Sequence, residues 1–515
     1  MLILDKKINW NIKRYKKLVV VVIIIPIIFS LLFLGCSRDD TSQEESKDID
    51  YIQPLEIVGD VEDFVSIENI NDISDTVSLE HREEELEALP LNKLLDKSQP
   101  YTEDFKVLYV SHDGFSASIS SDNLDECYIA FTQENGWEAI NNNHPVSSNI
   151  KDIESIAVVA NNLSLEDGFN IIKPGENITS ISPGEIYKNG YHVSTMYRGS
   201  SSVSQNGEDL EASTFNRKKI IDIENYVTLD DSDEIIVVGK KGEVENYRQD
   251  GTFVLNKNNI GYMAGDDIEI DQAAGIVLDP PDKMITEVYH DSKELLTQDE
   301  QVLLILIDGL GYHQYEYAID NGYAPFLKEL PAPEKAMVTY PPVTPVNVAS
   351  SLTGELPHIN GVYKRGIRRT EVPTIFGYCE DHGKKSTAII GPKGTIELEI
   401  DPILSMDGND DGSTDYEKTE NALNEMSKDY DLMFVHYKDV DIVGHDYGDM
   451  AEETMEAIAW NDKLVEELVT TWEGKVIIYA DHGMHETEEG GDHNSLMTED
   501  MFMPYWKFDG GEIND

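Results

Sequence analysis

The chain has 515 residues, with 99 Asp and Glu against 40 Lys and Arg, a formal net charge of −59 and three cysteines. A surface this negative would approach a polyanion against its own field, which excludes a general nucleic-acid binder. Three cysteines cannot build a disulfide scaffold, and 40% apolar with 9% aromatic residues describe a folded chain rather than a globally disordered one.

Residues 1–35 depart from this composition. Lys6, Lys7, Lys13, Arg14, Lys16 and Lys17 precede an uncharged apolar stretch, Leu18 to Leu34, that runs into Gly35-Cys36-Ser37. A basic segment, an apolar segment and a small residue at the cut make a secretory signal. The competing reading is a membrane-spanning anchor, since about 17 apolar residues lie at the lower limit for crossing a bilayer. Phe33-Leu34-Gly35-Cys36 resembles the bacterial lipoprotein signal, which implies lipidation of Cys36 as the mature N-terminus and a place on the extracytoplasmic face of the cell membrane. Both readings put the rest of the chain outside the cytoplasm. With Cys36 first, 34 basic and 98 acidic residues remain, a net charge of −64.

Residues 36–100 contain Asp39-Asp40, Glu44-Glu45 and Glu83-Glu84-Glu85 and very few aromatics. Such a stretch buries too little apolar surface to offset its ordering entropy, so it is expected to be an acidic, largely disordered tether with at most a short helix around Leu79 to Leu95. Residues 101–284 change to short alternating runs. Lys106 to Val110 leads through His112-Asp113-Gly114 into Phe115 to Ile119; Glu234 to Val238 precedes Lys241-Gly242, and Asp250-Gly251 precedes Thr252 to Leu255. Asp-Gly between alternating runs signals a hairpin. This part is expected to be a β-rich accessory domain that positions or shields the next one; whether the two stretches repeat one unit stays open. Cys127 and Cys379, far apart in different predicted domains, are expected to be unpaired and buried.

Residues 285–515 read as α/β. Apolar runs at Val302 to Ile307, Thr387 to Ile390, Leu432 to Val435 and Val476 to Ala480 are short and continuous, as parallel strands buried on both faces require. Between the last two, Met455, Ile458, Val465, Leu468 and Trp472 mark an amphipathic helix over Glu452 to Trp472. Three of the strands end in carboxylates: Asp308 before Gly309, Asp439 and Asp441 after Tyr437-Lys438, and Asp481 before His482-Gly483. Ligands bind at the carboxyl ends of such strands, so these carboxylates converge on one edge, where they repel one another unless a cation sits among them. His445, His482 and His493 lie close by in sequence. A mixed set of three Asp and three His favours Zn²⁺, with Mn²⁺ or Fe as competitors. Six ligands overfill one open zinc site, whereas two sites of three leave room for substrate and water. In Tyr340 to Gly354, Pro345 suits the first position of a helix with Thr344 as its N-cap, so free N–H groups would face an anion. Taken alone, Thr344 does no more than cap that helix.

Asp308-Gly309, Thr344-Pro345-Val346-Asn347, Asp441-x-x-Gly444-His445, Asp481-His482-Gly483-Met484 and the later His493 together resemble the alkaline phosphatase superfamily, most closely its type I phosphodiesterase/nucleotide pyrophosphatase branch. The likeness spans roughly residues 300–506. It implies an α/β/α sandwich with a mostly parallel sheet, and two metals. Asp308, Asp481, His482 and the Thr344 oxygen would hold one; Asp441, His445 and His493 would hold the other. It implies Thr344 as the nucleophile that becomes phosphorylated, Asn347 as a donor to a non-bridging phosphoryl oxygen, and retention at phosphorus after two displacements. The family's four-residue step to His selects Asp441 over Asp439; His436 and His485 fill no motif position and are expected to play supporting roles.

The basic segment Lys364-Arg365-Gly366-Ile367-Arg368-Arg369 follows the nucleophile helix and could reach a substrate phosphate, or simply be a solvated loop pairing with the acidic surface. If it reaches the metals, phosphate monoesters become plausible substrates; otherwise a diester is favoured. The expected activity is therefore hydrolysis of a phosphodiester or nucleotide pyrophosphate, small or polymeric. The alternatives are a phosphomonoesterase, a phosphonate hydrolase or a phosphotransferase on the same site. A sulfatase is disfavoured, because its Cys or Ser followed by x-Pro-x-Arg is missing at Thr344. From another class, a non-catalytic lipoprotein could bind envelope polymer through the β-rich part. No nucleic-acid or protein partner is evident.

Overall fold

The computed structural model describes residues 53–70, 75–82, 84–205, 208–229, 234–265 and 267–510. The proposed signal and Cys36 lie outside these residues. The short alternating runs of the N-terminal part pair into sheets that repeat one pattern twice. In the first copy, β1 (Leu55–Gly59), β2 (Val65–Ile67), β3 (Val77–His81), β4 (Glu84–Pro90), β5 (Phe105–Ser111), β6 (Ser116–Ser120), β7 (Cys127–Thr132), β8 (Gly136–Asn141) and β9 (Ile153–Ala160) form two sheets, β2-β1-β9-β5-β6 and β3-β4-β7-β8. The second copy has β10 (Phe169–Lys173), β11 (Glu176–Ile181), β12 (Tyr191–Gln205), β13 (Glu208–Ile221), β14 (Ile235–Gly239), β15 (Val244–Asn246), β16 (Gly251–Asn256), β17 (Asn259–Ala264), β18 (Asp267–Ile270) and β19 (Ala273–Leu278), in the orders β11-β10-β19-β14-β15 and β12-β13-β16-β17-β18. The first and last strands of each copy pair in parallel, β1 with β9 and β10 with β19. Hairpins β5–β6 and β14–β15 hold the same place in the two copies, so the two similar stretches of sequence are repeats of one unit.

Asp113-Gly114 closes the β5–β6 hairpin, with the Gly114 N–H donating to the Ser111 carbonyl at 3.0 Å. Asp250-Gly251 does not close one. It carries the chain from β15 in one sheet to β16 in the other, and the hairpin turn falls earlier, where the Gly242 N–H reaches the Gly239 carbonyl.

The expectation of a tether over residues 36–100 fails from residue 55 onward. Leu55, Ile57, Val58, Ala88, Leu89, Leu91 and Leu94 are fully buried, and the helix is Leu91–Ser98, with Leu79 in a strand instead. Average composition misled because exposed acids and buried apolar side chains share the same short strands, as in Glu84–Pro90, whose glutamates are exposed while Ala88 and Leu89 are buried. Each fully buried Leu or Ile contributes about 1.5–3 kcal/mol, so this segment is as much part of the folded unit as any other.

The C-terminal part is built on an eight-stranded sheet of β20 (Lys283–Met284), β21 (Val302–Ile307), β22 (Glu334–Met337), β23 (Ser386–Ile390), β24 (Ile403–Leu404), β25 (Leu432–Tyr437), β26 (Lys475–Tyr479) and β29 (Phe502–Asp509), in the order β20-β22-β29-β26-β21-β25-β23-β24. A small hairpin, β27 (His485–Thr487) and β28 (Gly490–Asp492), lies apart. Every neighbouring pair in the large sheet is parallel except those made by β29. The sheet thus begins two residues ahead of the boundary expected at 285. All six side chains of β21 and of β25 are buried, and the predicted amphipathic helix runs Glu452–Thr471. Ile172, Val238, Ala274 and Val277 of the second β copy pack in the same apolar cluster as β21. Cys127 and Cys379 are free and buried, as expected. Among the described residues no helix is long and apolar enough to cross a membrane.

Candidate metal centre and nucleophile

The carboxyl ends of β21, β25 and β26 deliver Asp308, Asp441 and Asp481 to one edge of the sheet. Gly309 has a positive φ of 80° and lies so close to the helix Asp439–Tyr447 that an added Cβ would come within 2.9 Å of the Asp441 Cα; at Gly483 a Cβ would meet the Glu499 carbonyl at 2.0 Å. Both glycines are therefore needed for the strand ends to approach one another. Asp308, Asp481 and His482 are fully buried, and His493 is nearly so.

The histidines are oriented alike. Nδ1 contacts a backbone carbonyl in each: Gly491 for His445 at 2.9 Å, Gly483 for His482 at 2.9 Å and Pro342 for His493 at 2.7 Å. A carbonyl only accepts, so Nδ1 carries a proton and Nε2 faces the cluster, the orientation a metal-binding histidine needs. Asp441 Oδ1 lies 3.4 Å from His445 Nε2, 3.4 Å from His493 Nε2 and 3.9 Å from His482 Nε2. His482 Nε2 is 3.3 Å from Asp308 Oδ1 and 3.7 Å from Asp481 Oδ2. Two groups come within common ligating distance, Asp441-His445-His493 and Asp308-Asp441-His482. Asp441 Oδ1 and Asp481 Oδ2 are buried and accept no hydrogen bond, a costly arrangement unless a cation takes those lone pairs. The donor set fits a zinc-like ion on each count.

Electrostatics at this edge call for positive charge. Burial alone would depress His482, but Asp481, Asp308 and Asp441 outweigh it and push its pKa up to about 10. Burial and the neighbouring Asp308 and Asp441 charges raise Asp481 well above the usual carboxylate range, only partly offset by His482 and Lys438. Asp308 is also buried, yet Lys438, His436 and His482 hold it well below that range. His436, lowered to about 4 chiefly by burial, is neutral and donates from Nε2 to Asp308 Oδ2 at 2.9 Å. It is thus the support that its lack of a motif position suggested. His485 is another, paired with Asp500 at 2.8 Å. Asp439 turns away from the cluster and accepts from Ser413 Oγ at 2.6 Å, which leaves Asp441 as the ligand.

Thr344 Oγ1 lies 3.4 Å from Asp308 Oδ1 and 3.3 Å from His482 Nε2. Its helix spans Thr344–Thr353 with Val343 as the cap residue, because the Val343 carbonyl accepts from both Val346 and Asn347 N–H. Thr344 is consequently the first helical residue and Pro345 the second, one place further in than expected, which costs nothing since the first-turn positions need no intrahelical donor and Pro345 has no N–H to leave unpaired. Asn347 departs from its implied role. It is fully buried; its Oδ1 accepts from Thr339 N and Oγ1, both at 2.7 Å, and its Nδ2 donates to the Thr339 and Pro341 carbonyls at 3.1 and 3.2 Å. With its amide engaged on both sides, Asn347 pins the loop ahead of Thr344 instead of reaching for a phosphoryl oxygen.

The four basic residues separate. Only Arg365 reaches the cluster, its Nη2 standing 3.4 Å from the His493 carbonyl and 3.5 Å from His493 Nε2. Arg368 is held by the Gly394 and Thr395 carbonyls, Lys364 lies over the Tyr363 ring, and Arg369 lines a separate cleft of about 400 Å³ with Glu371, Glu397 and Glu399. Sequence reasoning passed over Lys438, whose Nζ is 3.6 Å from Asp308 Oδ2. A lysine directly after a buried strand and between acidic ligands was the available signal. The second β copy also touches the site's surroundings: Asn177 accepts from the Thr498 N–H at 3.1 Å and donates to Glu499 at 2.9 Å. The next residue, Asp500, accepts from Asn494 and Ser495 N–H, fixing the chain beside His493.

Residues 393–496 match the Metalloenzyme superfamily, a span that holds Asp441, His445, Asp481, His482 and His493. The chain is similar to phosphonoacetate hydrolase from Sinorhizobium meliloti 1021 in complex with phosphonoformate (18% identity, 36% of this chain and 57% of that one, TM-score 0.31). It is also similar to murine ectonucleotide pyrophosphatase/phosphodiesterase 5 (17%, 37% and 59%, TM-score 0.32) and to the C-terminal periplasmic domain of EcEptC from Escherichia coli (14%, 42% and 74%, TM-score 0.32). The chain spans 57% and 59% of the first two. No curated protein matches it. The carboxyl ends of the strands and the segments that follow them bring together every metal-ligand candidate that the sequence suggested; Asn347, Lys364, Arg368 and Arg369 make other contacts.

Proposed function

We propose that the protein hydrolyses phosphoric esters through a phosphothreonine at Thr344, with two Zn²⁺ ions, or Mn²⁺ or Fe in their place. Asp308, Asp481, His482 and Thr344 Oγ1 would hold one ion; Asp441, His445 and His493 would hold the other. The observation that carries this reading is the Thr344 hydroxyl, placed 3.4 Å from Asp308 and 3.3 Å from His482 at the start of a helix and at the edge of the only ligand groups among the described residues. When bound, the metals supply charge for the oxyanions that develop and lower the pKa of a coordinated hydroxyl or water.

The chain's own groups do the rest. Asp308 stays anionic because Lys438, His436 and His482 outweigh its burial, so its Oδ1 accepts a hydrogen bond from the Thr344 hydroxyl and orients it, and the hydroxyl proton passes to solvent as Oγ1 attacks. Oγ1 then bonds to phosphorus as the ester oxygen departs on the opposite side, and water releases phosphate in a second displacement. In the helix's first turn Pro345 has no N–H and Val346 and Asn347 donate to the Val343 carbonyl, so the Thr344 N–H is the backbone donor that would face a phosphoryl oxygen. Carbonyl anchors on three Nδ1 atoms hold the imidazoles so that no reorganisation is needed at the moment of reaction. The proposal also places the protein outside the cytoplasm, tethered through lipid on Cys36, on the sequence evidence above.

A substrate panel tests the activity. Zinc-loaded protein is expected to turn over p-nitrophenyl esters of phosphate and not p-nitrophenyl sulfate. Absence of bound metal together with silence on every phosphate ester would instead favour a polymer-binding protein.

A further inference from the structure

The two β copies differ most in one hairpin. β3–β4 of the first copy and β12–β13 of the second hold matching places in their sheets, but the first has strands of five and seven residues and the second strands of fifteen and fourteen. β13 pairs with β16 only from Lys219 to Ile221; from its start to Lys218 it has β12 alone as a neighbour among the described residues. The extension is therefore a two-stranded arm that the first copy's sheet does without. Three residue pairs join β4 to β7, beginning with Ala88 opposite Ala130, and three join β13 to β16, beginning with Lys219 opposite Leu255. This register sets Arg217-Lys218-Lys219 against Leu86-Glu87-Ala88. A run of three cations thus stands where the other copy has none.

With Lys257 these cations line a cleft of about 300 Å³ where β13 runs on past the end of β16, and Glu56 is the one carboxylate among its lining residues. Lys219 is engaged, its Nζ 3.1 Å from Glu154 and over the Tyr187 ring, and Lys257 covers the Phe64 ring. Arg217 and Lys218 make no ion pair among the described residues. In a chain with 99 acidic and 40 basic residues, two unpaired cations in one cleft are free for an external anion. Alternation puts Arg217 on the same face of the arm as Phe215, with Tyr197 opposite Phe215 on β12. Those two rings meet edge to face, centroids 5.7 Å apart, yet stay 52% and 61% exposed. Aromatic rings left open to water suit the C–H face of a sugar ring. Arg217 stands two residues from Phe215, about 7 Å along the strand, within reach of a charged substituent on a sugar lying there. Toward the tip the same face carries Glu211 and Asp209, which would repel a continuous polyanion. We infer that the root of the arm binds a sugar chain bearing an isolated phosphate or carboxylate, with a ring on Tyr197 and Phe215 and the charge in the cleft.

Three tetrasaccharides test it on the full chain: maltotetraose, maltotetraose carrying one phosphate, and maltotetraose with one ring oxidised to the uronate. Calorimetry gives their affinities and hydrogen exchange locates them. The charged forms are expected to bind about 10-fold or more tighter than the neutral one and to protect residues 215–219 and 254–257; the tighter of the two identifies the anion. Arg217→Ala combined with Lys218→Ala should weaken the charged forms about 10–100-fold, the worth of hydrogen bonds to a charged group, and leave the neutral form unchanged. Phe215→Ala should weaken all three by about 2–10-fold, the worth of an aromatic contact. The double variant is expected to melt at the wild-type temperature, because the first copy forms the same strand pairing with Leu86 and Glu87 at these places. Failure of both charged forms to bind, equal affinity for charged and neutral forms, or a folded double variant that keeps the wild-type affinity would each overturn the inference. So would tripolyphosphate protecting the cleft while no tetrasaccharide does, since the cleft would then take a bare anion. None of these readings depends on turnover at Thr344, so the hydrolase proposal stands or falls separately.

Discussion

Thr344→Ala is expected to cut turnover of any phosphate ester by about 10⁴-fold or more, the scale on which enzymes lose a covalent nucleophile, with zinc content near that of the wild type. The two halves of this expectation have separate physical grounds. Among the described side chains that contact Asp308 and His482, Thr344 is the one that carries a hydroxyl, so none of these neighbours can replace it. Metal retention follows because the imidazoles and carboxylates are fixed by contacts that do not involve Thr344: three carbonyl anchors, the His436 bond to Asp308 and the Gly309 N–H on Asp481 Oδ1 at 3.3 Å. The helix is also insensitive, since Val343 accepts its first bonds and Asn347 pins the preceding loop. Retained turnover in this variant, with zinc bound, removes Thr344 as the nucleophile.

Asp441→Asn is expected to have the next largest effect, and on metal before chemistry. Motif order assigns Asp441 to one ion, with His445 and His493. The geometry puts its Oδ1 within 4 Å of all three imidazole Nε2 atoms and in both ligand groups. Asparagine keeps the shape and removes the negative charge that both groups share. Zinc per chain, measured by mass spectrometry after dialysis, should therefore fall below half the wild-type value, and kcat/KM by about 10³-fold or more, beyond the 10–100-fold typical of residues that only support a ligand. Loss of half the zinc would restrict Asp441 to one ion, and full retention would show that it is no ligand at all.

What the sequence made legible was the part where chemistry and local structure coincide. Asp308-Gly309 and Asp481-His482-Gly483 end buried apolar runs and need glycine for close approach, so motif and fold report the same residues. Asn347 was misjudged because adjacency to a nucleophile in sequence does not fix which way an amide points; its helix turns it under the loop at Thr339 to Pro341. Arg365, Arg368 and Arg369 were indistinguishable as a basic run, since only the tertiary path of their loop decides that one meets His493 while another meets the Gly394 carbonyl. The strands at residues 55–90 were hidden by averaging charge over a segment whose exposed acids share strands with buried apolar side chains such as Leu55, Ala88 and Leu89. The duplication of the β-rich part left faint marks in sequence, because strand pairing depends on alternation and length more than on identity, and it becomes plain only in the order of the sheets.

The central claim is a covalent phosphothreonine. Zinc-loaded protein mixed with excess p-nitrophenyl phosphate, quenched in acid during turnover and digested, should yield one phosphorylated peptide, with the phosphate on Thr344. A phosphate on another residue, or an unmodified Thr344 peptide from enzyme caught during its first turnover, would contradict the account.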